Sequence, residues 1–227
     1  NIPLNTTRLD CDHLFEVMPP LQTWGTEIGV AELPQRPGGS VYRILASQDG
    51  TNVVQDGTTT IATLNEGEFY ETSTIPGNHV FRANNPIFVA QFMTNSRASV
   101  QGDGDPSMGN MVPFAQYQTR YTFATLPLAQ FQSNYVSIIA QNSDIQSGNV
   151  ILDGNPLSAA NFTPIPDTVY SAAVIPLNAG THSTSSTLPH GITVEGYDAF
   201  DSYLYPGGAR FQFMNPVGDA NPPIVSL

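Results

Sequence analysis

The sequence predicts an all-β chain of two tandem antiparallel β-sandwich units, jelly-roll-like and related by internal duplication. Three observations predict it. Helical periodicity is nearly absent from the 227 residues. Strand-like alternation recurs, cut by turn dipeptides about every ten residues, the spacing of sandwiches and barrels. A series of unlike elements in the first half also returns, in the same order, in the second.

In the first half, Val41 to Ala46 alternates and ends at Asp49-Gly50. Asn52 to Gln55 leads into Asp56-Gly57, a pair suited to a tight hairpin turn. Thr58 to Leu64 is a β-branched run, Glu68 to Thr72 follows Gly67, and Pro76-Gly77 marks the next turn. His79 to Ala83 and Ile87 to Phe92 complete the series. In the second half, Tyr135 to Gln141 matches Tyr42 to Gln48, and Asp153-Gly154 matches Asp56-Gly57. Leu177-Asn178-Ala179-Gly180 matches Leu64-Asn65-Glu66-Gly67, and Ile192 to Tyr197 matches Ile87 to Phe92. Gly180-Thr181-His182 loosely echoes Gly77-Asn78-His79. The expected division is a first unit over 1–97, a connecting region over 98–126 that is poor in strand pattern, and a second unit over 127–227. Within the connecting region, 111–121 is expected to form a short helix or to cover the core.

Charged residues are 11% of the chain, well below the roughly 25% of an average soluble domain. Lysine is absent, so all seven basic residues are arginines, and 19 acidic residues bring the formal net charge to −12. Such a chain has no basic footprint for nucleic acid. It offers no lysine for a phosphate-binding loop or a Schiff base. No stretch approaches the ~20 apolar residues of a membrane-spanning helix, and no signal peptide is expected. Few charges with many hydroxyl and amide side chains suit an exported β-protein, secreted or displayed at a cell surface. The single cysteine, Cys11, is expected to be a small buried hydrophobe or to pair outside this chain. Asn1 in place of methionine points to a processed or excised chain.

The four histidines His13, His79, His182 and His190 show no metal-site spacing, and no Gly-x-Ser-x-Gly elbow occurs. They are expected at turns or interfaces. Glu66, Glu68 and Glu71 cluster in sequence and, with Asp201, are the carboxylates a glycoside hydrolase would need; the plain alternative is a solvated strand face. Asp103-Gly104-Asp105 resembles half of a calcium loop, but Met108 stands where an EF-hand needs glycine and Phe114 where it needs glutamate. Calcium on Asp103 and Asp105 is the one cofactor the sequence suggests, against a plain Gly-Asp-Pro turn. In Tyr197 to Tyr205, alternation places Tyr203 and Tyr205 on one face, with Asp198 and Asp201 nearby as acceptors. Stacked tyrosines with acidic neighbours suit a sugar or a protein interface; the alternative is core packing. Trp24 is expected as a core anchor, and the tail after Asn215 as an extended arm that packs on a neighbouring subunit.

Several segments together carry a family resemblance. They are Cys11-Asp12-His13 through Thr23-Trp24-Gly25-Thr26, Ala46 to Thr51, Asn85 to Phe92, and Gly104-Asp105-Pro106-Ser107-Met108. Asn134 to Ala140, Gly196-Tyr197 and Ser202 to Gly208 continue the set. The chain resembles, over about residues 11 to 208, the IgG-Fc-binding protein N-terminal domain family in its bacterial surface-protein branch. It departs from the pattern in having only ten residues before Cys11. The resemblance implies adhesion or binding without chemistry and carries over no catalytic residue. The partner it implies is a glycan or a protein on another surface. Two further readings stay open: a carbohydrate-active hydrolase with paired carboxylates, and a structural module of a fibre or surface assembly with homo-oligomeric contacts.

Overall fold

The structure is a computed structural model that describes residues 13–95, 99–126 and 131–214. Cys11 and the tail after Asn215 lie outside the described residues. The strands form two antiparallel sheets. The first contains β1 (Gly25–Val30), β2 (Val41–Ala46), β3 (Thr51–Gln55), β4 (Thr59–Leu64), β5 (Phe69–Glu71), β6 (His79–Phe92) and β7 (Met108–Met111). The second contains β8 (Gln118–Ala124), β9 (Ser133–Gln141), β10 (Ile151–Leu152), β11 (Asn155–Pro156), β12 (Thr163–Pro164), β13 (Tyr170–Leu177), β14 (Thr181–Asp198) and β15 (Asp201–Pro206). One short helix, α1 (Asn142–Gln146), follows β9.

Each sheet is organised on one long strand that turns a corner. The first half of β6 pairs with β1 and β3, and its second half with β2 and β7. Between the halves the register to β1 slips: Arg82 faces Glu27, but Ile87 faces Gly25. Pro86 has no N–H for a ladder, so the strand bends there. Side chains take over: the Asn52 N–H donates to Asn84 Oδ1 at 2.7 Å, and Ser47 Oγ donates to the Pro86 carbonyl at 2.6 Å. Such corners, where one strand passes between layers, are how a sheet curls into a sandwich. In β14 the same slip falls between Ser185, facing Arg120, and His190, facing Gln118.

The pairing map repeats. β1, β2, β3, β4, β5, β6 and β7 correspond to β8, β9, β10, β11, β13, β14 and β15. The duplication is therefore in the fold itself, with β12 added outside β13. The ladders correct three of the sequence matches; Ile87 to Phe92 falls on His190 to Glu195, two residues before the matched Ile192 to Tyr197. With His79 placed on His182, Val89 falls on Ile192 and its partner Ile44 on Ile138. Tyr42 then matches Val136, not Tyr135; both Tyr42 and Val136 are fully buried in their cores. A one-residue slip reverses the face of a strand, so pairing two tyrosines by identity matched an inward side chain with an outward one. Leu64 ends β4, whereas Leu177 ends β13, the counterpart of β5, so that pair is not equivalent.

Each unit has its own core, around Ile28, Tyr42, Ile44, Phe81 and Val89 in the first and Val136, Ile138, Ile192 and Val194 in the second. The segment read as a joint poor in strand pattern supplies β7 to one sheet and β8 to the other. Between them Phe114–Gln116 makes a 3-10 turn. Phe114 stacks on Tyr170 at 4.1 Å, and with Tyr117, Ala31, Val80, Ile139 and Ile165 it fills a third core between the units. Glycine is required on both sides of that filling. A Cβ on Gly29 would lie 2.4 Å from the Phe114 ring, and one on Gly191 2.3 Å from the Tyr117 ring.

Candidate binding cleft at the meeting of the chain ends

Residues 13–20 carry no regular structure and lead into a 3-10 turn at Leu21–Thr23. Pro19 and Pro20 favour an extended path and donate no backbone hydrogen bond. The Pro20 carbonyl accepts from Thr23 Oγ1 at 2.7 Å, and the Pro19 carbonyl from Trp24 Nε1 at 3.1 Å. Trp24 is thereby fixed against Phe88 at 5.4 Å, over Val41, Ala90 and Phe92. The core role expected of Trp24 holds, yet one edge of its surroundings is open.

The other end of the chain arrives after β15. A Cβ on Gly207 would lie 2.2 Å from Ile192, so only glycine lets the backbone pass there. Gln116, 1% exposed, then ties both ends to the body. Its Nε2 donates to the carbonyls of Thr23 at 3.0 Å and Gln212 at 2.7 Å, while its Oε1 accepts from the Gln212 N–H at 3.0 Å. The Arg210 N–H donates to the Gln116 carbonyl at 3.0 Å, and the Met214 N–H to the Gln22 carbonyl at 2.8 Å. Asn110 Nδ2 holds the leading segment through the Val17 carbonyl at 3.0 Å.

Between these ends lies a cleft of about 320 Å3, lined by Trp24, Ile87, Phe88, Met111, Pro113, Pro206 and Phe211 among others. Of its lining residues, Val17, Met18 and Phe211 are open to solvent, and so are their near neighbours in sequence Phe15, 86% exposed, Phe213, 75% exposed, and Met214. Exposed apolar side chains scattered singly need no explanation, but a set gathered around an apolar cleft marks a contact surface. Glu16 is the one charged residue among the described lining residues; partial burial raises its carboxyl above the ordinary range.

The residues singled out in the sequence fall elsewhere. Tyr203 and Tyr205 pack against the second core, with their hydroxyls donating to Asn134 Oδ1 at 2.6 Å and to the Ala124 carbonyl at 2.5 Å. Burial pushes the Tyr203 hydroxyl up to about 12. Alternation placed these two rings on one face correctly, but that face is covered. Asp198 and Asp201 are the last pair of the β14–β15 hairpin; Asp201 Oδ1 accepts from the Ser202 N–H at 2.8 Å, and the Asp198 carbonyl accepts from the Gly104 N–H at 2.6 Å. Among the described residues no hydrogen bond joins these aspartates to the two tyrosines.

Asp103 and Asp105, the aspartates of the calcium reading, are held by protein contacts. Asp103 Oδ1 accepts from Ser99 Oγ at 2.8 Å, and the carbonyls of Asp103 and Asp105 accept from Arg36 Nη2 and Ser202 Oγ. A guanidinium beside the first aspartate opposes a cation there. Among the described residues no three His, Cys, Asp or Glu side chains group as metal ligands.

His79 and His182 occupy the same place in the two units. Asp56 Oδ2 meets His79 Nδ1 at 2.5 Å, and Asp56 Oδ1 accepts from the Val80 N–H at 2.8 Å. Asp153 repeats this on His182 at 2.6 Å and the Ser183 N–H at 2.8 Å. Each aspartate sits at a positive φ, +50° and +48°, a conformation Asp tolerates better than most residues. These clasps tie a hairpin turn to the start of the long strand and are structural. His190 is fully buried between Ser186 Oγ and Thr184 Oγ1, and desolvation lowers it to about 4. Glu66 is exposed, Glu68 caps the Asn65 N–H, and Glu71 pairs with Arg43 at 2.7 Å. None of these carboxylates lines the cleft.

Sequence reasoning missed Gln116, which reads as any loop glutamine, and Glu195, buried completely with Ser137 Oγ donating to its Oε1 at 2.9 Å. Desolvation raises Glu195 to about 8. Among the described residues no helix is long and apolar enough to cross a membrane. No curated protein and no solved structure matches the chain significantly. The sequence profile of the family described as IgGFc binding protein matches residues 1–196. A match over most of the length, on the two-sandwich frame described above, settles the relationship: the chain belongs to the IgGFc-binding protein family.

Proposed function

We propose that this chain is a non-catalytic adhesion module, secreted or displayed at a cell surface, that recognises a protein partner through the cleft and rim where its two ends meet. The observation that carries the reading is that apolar surface. Trp24, Phe88 and Phe211 line a cleft of about 320 Å3, and Phe15 and Phe213, on the two chain segments that contribute to its lining, are exposed. Aromatic anchors around a pocket are what protein interfaces concentrate. A sugar-binding groove needs convergent hydrogen-bonding groups, and this lining has few. Membership of a family named for binding supports a recognition role. The family's description supplies a first probe, the Fc fragment of IgG.

The test is a binding screen of the full chain against immobilised Fc, a panel of extracellular proteins and a glycan array, run beside a Phe15→Ser/Phe213→Ser variant. The reading expects a protein hit that weakens at least tenfold in the variant, with the melting temperature unchanged. Hits confined to glycans, or a protein hit indifferent to both substitutions, contradict it.

A further inference from the structure

The lining of the cleft is apolar except at one point. Glu16 stands on the leading segment beside Val17 and Met18, partly withdrawn from water. Among the described residues it makes no ion pair. Arg210, on the closing segment, acts on Tyr121 of β8. A carboxylate placed against apolar surface without a cation loses hydration and gains nothing in return, which is why its proton affinity rises. A ligand that brings a cation restores the loss; a ligand that brings an anion deepens it. The whole chain acts in the same direction. Its formal charge of −12 draws cationic partners and repels anionic ones at long range.

We propose that the cleft selects a polypeptide segment in which a bulky apolar side chain is followed by a basic residue: the apolar group enters beside Trp24 and Phe88, and the ammonium or guanidinium pairs with Glu16. The inference rests on the cleft being the recognition site and adds the chemistry of what it accepts. Trp24 anchors one wall and is the only tryptophan in the chain, so its emission reports entry directly. The apolar contact sets whether a segment binds, and Glu16 sets which one.

The experiment titrates the full chain with three blocked tripeptides, acetyl-Phe-Leu-Arg-amide, acetyl-Phe-Leu-norleucine-amide and acetyl-Phe-Leu-Glu-amide, and reads Trp24 emission. The arginine peptide is expected to bind about tenfold more tightly than the norleucine peptide, a difference of about 1.4 kcal/mol. The glutamate peptide is expected to bind most weakly. Glu16→Gln is expected to bring the arginine peptide to the norleucine value and leave the norleucine peptide unchanged. Raising the salt concentration is expected to shrink the preference in the unmodified chain only. Equal affinity for all three peptides, or a preference that survives Glu16→Gln, overturns the selectivity and leaves the cleft as the site. No change in emission with any peptide overturns both. The substitution lies on a half-exposed segment, and an unchanged melting temperature shows that the variant is folded.

Discussion

The two units share a ladder and differ in what they do with its outer face. In the first unit, Phe88, Ala90 and Phe92 of β6 point away from the core, and Trp24, Leu14 and Leu21 of the leading segment cover them. With the two clasp histidines superposed, the same three places in β14 hold Gly191, Thr193 and Glu195. These are covered by the rest of the molecule: Tyr117 lies over Gly191, and Leu33, Arg36 and Met93 of the first unit pack on the neighbouring Tyr197. One face is closed by a sandwich neighbour and is small and polar. Its counterpart is large and apolar, is covered among the described residues by a strap of chain with Met108, and leaves a cleft. Duplication produced two equivalent surfaces; joining the units covered one and left a cleft at the other.

Removing the filling that joins the units has the largest expected effect. Phe114→Ala leaves Tyr170 and Tyr117 facing a void and is expected to cost about 3–5 kcal/mol, measured by urea unfolding. A cost below about 1 kcal/mol shows that the third core does not couple the units.

The second sharpens the contrast between Phe92 and Glu195. Glu195 has a folded value of about 8 against an ordinary 4.5, so the folded state holds its proton where the unfolded chain has lost it. Its contribution is fully present below about 4.5 and is lost as pH rises through about 8, at up to about 1.4 kcal/mol per pH unit. His190 opposes it over part of that range. Its folded value of about 4 against 6.5 means that stability is lost as pH falls from about 6.5 to about 4. The two slopes offset each other between about 4.5 and 6.5, and stability is expected to decline between about 6.5 and 8. Chemical denaturation across pH 4 to 9 checks this; Glu195→Gln should abolish the upper decline and be more stable than the parent at pH 9. A decline that persists in the variant assigns it to another group.

The smallest of the three compares the clasps. Asp56→Ala and Asp153→Ala each orphan a backbone N–H and an imidazole, at an expected cost of about 1–3 kcal/mol. Asp56 is the more sheltered, its side chain 22% exposed against 41% for Asp153, so its loss should cost more. Melting curves of the two variants give the order; a larger loss at Asp153 reverses it.

What the sequence revealed and what it hid follow from the same geometry. The Asp-Gly turns and their histidines were legible because the turn fixes residue type at adjacent positions. Strand register was not, because Tyr42 and Tyr135 look alike while facing opposite ways. Alternation put Tyr203 with Tyr205, but period-two patterning cannot say which face a second unit will cover, and so it missed the buried Glu195. The cleft was hidden for a different reason. Its walls come from residues near 16–24, 87–88, 110–116 and 206–211, brought together only by the corner in β6 and by the hydrogen bonds of Gln116. The contact of the Asp103 carbonyl with Arg36, 67 positions away, is one no local motif could announce.

Energy transfer from Trp24 to N-phenyl-1-naphthylamine, a neutral apolar probe, tests the central claim most directly. A saturable, one-to-one loss of Trp24 emission in native buffer, abolished when Val112→Phe fills the cleft, is the outcome expected of an open recognition surface at the chain ends. Unquenched emission, or quenching that Val112→Phe leaves intact, would contradict it.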